Sequence, residues 1–293
     1  MLLFSILKFI TNHPLNRNNK FGAVMRFIRW QINIRLNPYP VIYPFTAKAL
    51  LIINKGMSGA TSNLYCGLHE FNDMGFLLHF LRADDLFADI GANIGSYTVL
   101  SAAHIGAQTI SVEPVPATYS HLMRNIGINQ VGDHVQPLNV ALGAQAGFVE
   151  FTSTLGSTNH VAISGDKDKI RVEMRTLDDI LVGRKTPALL KIDVEGFETE
   201  VINGAKNVLA DSGLKAIIIE LNGSGKRYGY DERKIHETFL AAGLEPYLYD
   251  PMTRTLTKAG TFGFHNTIYI RDIDFVTERV SGAEKLTVHG ISF

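Results

Sequence analysis

The chain has 293 residues, 46% of them hydrophobic and 19% charged, with 28 basic and 28 acidic side chains. That is enough chain for one large α/β domain with an extension, and a formal charge of zero gives no bulk attraction to nucleic acid. A single cysteine, Cys66, excludes an internal disulfide framework and a multi-cysteine zinc site, and no apolar run reaches the roughly 18 residues needed to cross a bilayer.

In chain order, the opening apolar run Met1–Leu7 is short and is broken by Lys8. It lacks a basic leader and a small-residue cleavage site, so a signal peptide is not expected and the cytoplasm is the expected compartment. No Asp or Glu occurs before Glu70, whereas residues 1–69 carry eight bases: Lys8, Arg17, Lys20, Arg26, Arg29, Arg35, Lys48 and Lys55. Phe21, Val24, Met25, Ile28 and Ile32 recur at helical spacing on one face, with Arg26, Arg29 and Asn33 on another, which predicts a basic amphipathic helix. Two uses stand open for residues 1–36. The helix can pack on the domain or on a second copy in a homodimer, or it can lie peripherally on the inner membrane surface near anionic lipid.

The prolines of Asn37-Pro38-Tyr39-Pro40 end that helix. Val41–Tyr43 and Ala49–Ile53 read as strands of a small N-terminal sheet. Residues 70–81 read as a helix with Phe71, Met74, Leu77, Leu78 and Leu81 on one side. From Leu86 strands alternate with helices, the mark of a parallel sheet. Strands are expected at Leu86–Ile90, Thr109–Glu113, Val135–Val140, Ala188–Ile192 and Ala216–Leu221. The expected helices run from about Ile94 to His104, Pro116 to Ile128, through Leu209, and from Glu232 to Ala241. Period-two alternation in Phe148–Phe151 and Arg171–Arg175 predicts an inserted antiparallel hairpin. Tyr247–Tyr249 and Thr267–Ile270 would close the sheet as an antiparallel pair, and the tail from Asp272 shows no pattern. The expected division is an extension over 1–60, a domain over 61–275 and a tail over 276–293.

The first strand runs into Asp89-Ile90-Gly91-Ala92-Asn93-Ile94-Gly95. Gly91 and Gly95 would let backbone approach a ligand, which a Cβ would obstruct. A dinucleotide fingerprint would read G-x-G-x-x-G. Here an acid stands where pyrophosphate would come close, which favours a cofactor with a positive centre and no phosphates, such as S-adenosylmethionine. An ordinary βα turn is the plain alternative.

Ligands of open parallel sheets lie beyond the carboxyl ends of the strands. Strand one brings Asp89 there, and strand two brings Glu113, 22 positions after Gly91, placed to accept from both hydroxyls of a ribose. After strand three, Asn139-Val140-Ala141-Leu142 is small and apolar enough to flank an adenine. Strand four contributes Asp193 and Glu195, and strand five Glu220 and Asn222. Tyr65, His69 and Glu70 precede the core and could form a lid, with Glu70 near the amino-acid end of the cofactor.

Three runs then carry a resemblance: Asp89–Thr98, Val112-Glu113-Pro114-Val115-Pro116 and Lys191-Ile192-Asp193-Val194-Glu195-Gly196-Phe197-Glu198. Over about residues 60–271 the chain resembles the FkbM-type methyltransferase family. That resemblance implies a Rossmann-like class I methyltransferase fold with a mostly parallel seven-stranded sheet in the order 3-2-1-4-5-7-6. It implies O-methylation from S-adenosylmethionine, often of a sugar hydroxyl on a glycan, glycolipid or natural product.

Methyl transfer is an in-line displacement, so alignment supplies much of the rate. A sugar hydroxyl also needs a base or a metal. Asp193 and Glu195 follow strand four beside the expected methyl position. His160, in the inserted hairpin, could reach over the site as base or could be a structural histidine. Asp193, Glu195 and Glu220 could hold a divalent ion, but no metal is favoured. A nicotinamide-dependent oxidoreductase is the competing reading, weakened by the missing glycines. An amino-directed nucleic-acid methyltransferase would want Asn-Pro-Pro-Tyr after strand four, and the acidic rim would repel phosphate. A cofactor binder without catalysis would not need Asp193 and Glu195.

Overall fold

The computed structural model describes residues 2–263 and 265–293. Helices α1 (Leu2–Asn12) and α2 (Lys20–Leu36) lead into an antiparallel pair, β1 (Val41–Pro44) and β2 (Leu50–Ile53). Helices α3 (Ser58–Cys66) and α4 (Phe71–Phe80) follow. Then come β3 (Leu86–Ile90), α5 (Ser96–Val99), β4 (Gln108–Val112), α6 (Pro116–Ile128), β5 (Val135–Leu138) and β6 (Ala141–Leu142). The inserted hairpin is β7 (Gly147–Thr152) and β8 (Lys169–Arg175), paired antiparallel, with β6 alongside β8. The second half runs α7 (Leu177–Leu181), β9 (Leu189–Ile192), α8 (Glu198–Asn203), α9 (Lys206–Ala210), β10 (Ala216–Glu220) and α10 (Glu232–Ala241). It closes with β11 (Glu245–Asp250), β12 (Thr255–Lys258), β13 (Asn266–Ile270), α11 (Ile273–Ser281), β14 (Thr287–Val288) and β15 (Ile291–Ser292).

The main sheet has eight strands in the order β12-β11-β13-β10-β9-β3-β4-β5. The expected count of seven is corrected by β12, which pairs antiparallel with the outer edge of β11. Strands β5, β4, β3, β9 and β10 are mutually parallel, and β13 turns the direction against β10. The central strands read as near-continuous apolar runs because both faces are covered. Alternation sends Leu190, Ile192, Ile217 and Ile219 toward α7 to α10, and Leu189, Ala216 and Ile218 toward α4 and the N-terminal helices.

Three expectations change on this second face. The helix expected from Ile94 to His104 is a short α5 that continues as a π-helical segment over Leu100–Ile105. Helix α4 is buried on all sides from Met74 to Phe80, including Gly75, Phe76, His79 and Phe80, rather than on one stripe, and is exposed only at Asn72 in its first turn. The tail explains this: α11 packs on α4, Arg279 pairs with Asp85, and the Phe293 ring lies 5.1 Å from that of Phe71. The tail and α1–α2 share one hydrophobic core with the sheet.

Helix α2 is also turned. Its buried residues are Ala23, Phe27 and Trp30, whereas Phe21, Ile28 and Ile32 of the expected packing face are exposed. The helix carries two apolar stripes, and the one holding the larger rings won the protein side, with Phe27 edge-on to Tyr65 at 5.2 Å. Arg26 is half-buried and donates to the Asn16 side chain and the Tyr65 carbonyl.

Candidate active site

A cavity of about 670 Å³ opens beyond the carboxyl ends of β3, β4, β9 and β10, the position and size expected of a small-molecule site in a parallel sheet. All five carboxylates read from the strand ends line it: Asp89, Glu113, Asp193, Glu195 and Glu220. Glu70 joins them, so six acids face two lysines, Lys55 and Lys191.

The floor is built from two turns locked together. Gly91 has φ +78°, and a Cβ there would fall 1.8 Å from the carbonyl oxygen of Asp193. The Asp193 amide in turn donates to the Ile90 carbonyl. Gly95 does not line the cavity; its Cβ would strike Leu122 of α6 at 2.5 Å. The expectation of two glycines clearing room for a ligand is therefore corrected. Both clear room for protein, and only Gly91 also faces the cavity.

On one side of the floor, Asp89 is buried and accepts from Thr98 Oγ1 at 2.7 Å, and burial pushes its carboxyl up to about 6. Glu113 accepts from the Asn93 amide on one oxygen and the Val115 amide on the other. Burial outweighs these bonds and raises it to about 7. An ionised carboxylate has about four acceptor positions, so two remain for a ligand diol. Asn93 sits at φ +51° beside it, and Ala141 lines the wall with Val140 and Leu142. Asn139 is the exception among the expected cofactor contacts. It lies outside the cavity, where its Nδ2 donates to the carbonyls of Glu113 and Pro114 and braces the loop.

On the other side, Lys191 Nζ lies 3.1 Å from Asp193 Oδ2 and 5.4 Å over the Tyr97 ring. Burial opposes its charge, but Asp193, Glu70 and Glu220 outweigh burial and hold it above the ordinary lysine range. Carboxylate oxygens of Asp193, Glu195 and Glu220 lie within 4.8 Å of one another. Glu195, at φ +54°, is pushed up to about 7 by burial and then by Asp193; Glu220 is raised by the same two causes. Glu198 holds the turn between them, accepting from the amides of Val194 and Gly196.

His160 is placed differently from the expectation. It does not line the cavity. Its Nδ1 contacts the Thr158 carbonyl at 2.9 Å and its Nε2 lies 3.3 Å from Asp166 Oδ2, so both nitrogens serve the hairpin. Its neighbours Ser157 and Asn159 reach the cavity instead. Glu70 lines the cavity and accepts from Tyr97 Oη at 2.8 Å and Asn266 Nδ2 at 3.0 Å. His69 lines the cavity, whereas Tyr65 packs against α2.

The chain matches the methyltransferase FkbM domain over residues 89–275, more than half its length. It belongs to the FkbM methyltransferase family. A hexuronic acid methyltransferase, AglP, of Haloferax volcanii is 26% identical over 148 residues, which cover 50% of this chain and 59% of that protein. Methyltransferase 1 of Beauveria bassiana is 30% identical over 163 residues, 47% of this chain and 65% of that protein. The chain thus spans less than two thirds of either relative. A solved structure of methyltransferase FkbM from Methylobacillus flagellatus KT is 14% identical, with a TM-score of 0.45, covering 73% of this chain and 55% of that one.

Lys191, Tyr97 and His121 also line the cavity although they stand at no strand end, and Asn266 supports it from outside through Glu70 and Asp73. Lys191 had a legible signal, a lone charge inside the buried run Leu189-Leu190-Lys191-Ile192, which demands a partner. Tyr97 and Asn266 lie in polar positions of otherwise apolar elements. His121, whose Nδ1 is buried without a partner among the described residues, carries no such signal on α6.

Proposed function

We propose that this FkbM-family chain is an S-adenosylmethionine-dependent O-methyltransferase acting on a hydroxyl of a sugar, glycan or glycosylated small molecule. The observation that carries the reading is the acidic floor, with Glu195 of intermediate acidity beside an Asp193 tied to Lys191. An excess of carboxylates suits a sulfonium cation, and the two remaining acceptor positions of Glu113 suit a ribose diol. The apolar wall at Ala141 and Leu142 suits an adenine. The name of the Haloferax relative, a hexuronic acid methyltransferase, supports a sugar acceptor.

The cofactor supplies a methyl group on a positively charged sulfur. The protein's part is to hold the acceptor oxygen in line with that carbon and to take its proton. Asp193 is engaged by the Lys191 ammonium, so its free oxygen orients the hydroxyl. Glu195 would take the hydroxyl proton as the methyl group passes to the acceptor oxygen. A base of pKa near 7 combines a usable deprotonated fraction with real driving force. Lys191 already supplies a cation to the acidic set, so turnover is expected to survive EDTA. Loss with EDTA and recovery with Mg²⁺ would place a divalent ion among the three carboxylates instead. The deciding experiment incubates the chain with isotope-labelled S-adenosylmethionine and a panel of hexuronic acids, neutral sugars and glycosides, read by mass spectrometry. Label on no sugar, but on an aglycone, would move the acceptor to a non-sugar product. Affinity for a nicotinamide dinucleotide in place of S-adenosylmethionine would overturn the reading.

A further inference from the structure

We propose that the outer face of α1 and α2 docks on the surface of a bilayer containing anionic lipid. On α2, Phe21 and Leu36 are 78% and 79% exposed, and Ile28 and Ile32 are 39% and 53% exposed. At 100° per residue these four side chains fall within an arc of about 80°, bordered on its two sides by Arg29 and Arg35. Both arginines are exposed. The opposite face of the helix is committed to the protein through Ala23, Phe27 and Trp30. The neighbouring α1 exposes Leu3, Phe4 and Phe9 beside Lys8. An apolar stripe edged by bases is the pattern of a helix lying in the headgroup region.

Charge selects the occupant. No acid occurs in residues 1–69, and of their eight cations Lys8, Arg29 and Arg35 are exposed at this face, whereas Arg26 turns inward and Lys55 lines the cavity. Among the described residues, no ion pair involves a residue before Asp85. A second copy meeting this face about a two-fold axis would bring cations against cations. An anionic lipid surface reverses that sign and attracts each basic side chain near it. Helix α2 packs on α3, and Gly59, Ala60 and Ser62 of α3 line the cavity, so docking would set one wall of the cavity near the lipid surface.

The test is flotation of the full chain with phosphatidylcholine vesicles, with and without about 30% phosphatidylglycerol, at low and high salt. Two variants accompany it, Arg29→Glu/Arg35→Glu and Ile28→Ser/Ile32→Ser/Leu36→Ser, each first shown to melt like the parent. The expected result is flotation with the anionic vesicles only, weakened by salt and reduced at least tenfold in both variants. An unbound parent chain overturns the proposal, as does flotation that neither variant changes. A parent that ignores vesicles but is a dimer by light scattering, and becomes a monomer in the serine variant, assigns the face to a second copy instead.

Discussion

Gly91 shows how one position can set a whole site. Its missing Cβ admits the Asp193 carbonyl, so Gly91→Ala must displace either the β3 turn or the β9 turn, and it also strains a backbone at φ +78°. The expected outcome is a loss of turnover of at least a hundredfold with weaker S-adenosylmethionine binding by calorimetry; a variant with parental kinetics would show that the two turns move independently. Lys191→Met is a different kind of lesion. It fills the space but removes the cation beside Asp193 and Glu220, and because Asp193 is 32% exposed the cost should fall below the roughly 3–5 kcal/mol of a fully buried pair. Chemical denaturation should show that loss. Glu195→Gln tests the base itself. The carboxylate must be deprotonated to act, so the parent's turnover should rise with pH through about 7. The variant should lose about 10²–10⁴-fold in kcat together with that rising limb, while the melting temperature stays near the parent's.

At the scale of elements, burial sorts what the sequence could tell from what it could not. The strand–helix alternation from Leu86 is legible because the central strands are mostly apolar, with Asp89, Ser111 and Lys191 among the exceptions. Strand β9 shows the limit. Its lysine stands out as a charge in an apolar run, but of its partners only Asp193 is local in sequence, while Glu70 and Glu220 come from far along the chain. Helix α2 shows another, since two apolar stripes at helical spacing leave open which of them faces inward. The tail had no periodicity to read, yet it finishes α4. Phe293 closes that contact, only 4% exposed, with its ring 5.1 Å from Phe71 and 5.5 Å from His79. Phe293→Ala should cost about 3–5 kcal/mol in urea melts with unchanged S-adenosylmethionine affinity. A cost below about 1 kcal/mol would show that the tail merely rests on α4.

Over the whole molecule, two sets of buried groups pull stability in opposite directions with pH. Asp73, Glu113, Glu195 and Glu198 are pushed up to about 7, chiefly by burial. A raised carboxyl favours the folded state below its unfolded value, near 4, and that contribution is lost as pH rises through about 7. His13, His79, His104 and His289 are lowered to about 4, again by burial first. Their contribution is present above about 6.5 and is lost as pH falls toward 4. The sets oppose each other between about pH 4.5 and 6.5, but Asp89, raised to about 6, and Glu220, raised to about 8, join the carboxylates, so the melting temperature should fall gently there as pH rises. Between about 6.5 and 7.5 only the carboxylates still titrate, so the ligand-free protein should lose stability there. A cationic ligand offsets that ionisation. The thermal shift from S-adenosylmethionine should therefore grow from pH 6 to 8, and the shift from its neutral demethylated product should grow much less. Equal growth for both would remove charge as the reason.

The inserted hairpin has a small core of its own, in which Phe151, Val161 and Val172 pack with Val115 and Ala141, and Tyr228 Oη donates to the Val161 carbonyl. Its loop reaches the cavity through Ser153, Thr154, Ser157 and Asn159 without touching the Gly91–Asp193 lock. The hairpin can therefore be exchanged with the Gly91–Asp193 lock in place, so long as Phe151, Val161 and Val172 keep their packing on Val115 and Ala141. Grafting residues 147–175 from a relative is the exchange most apt to change which molecule is modified without relearning how.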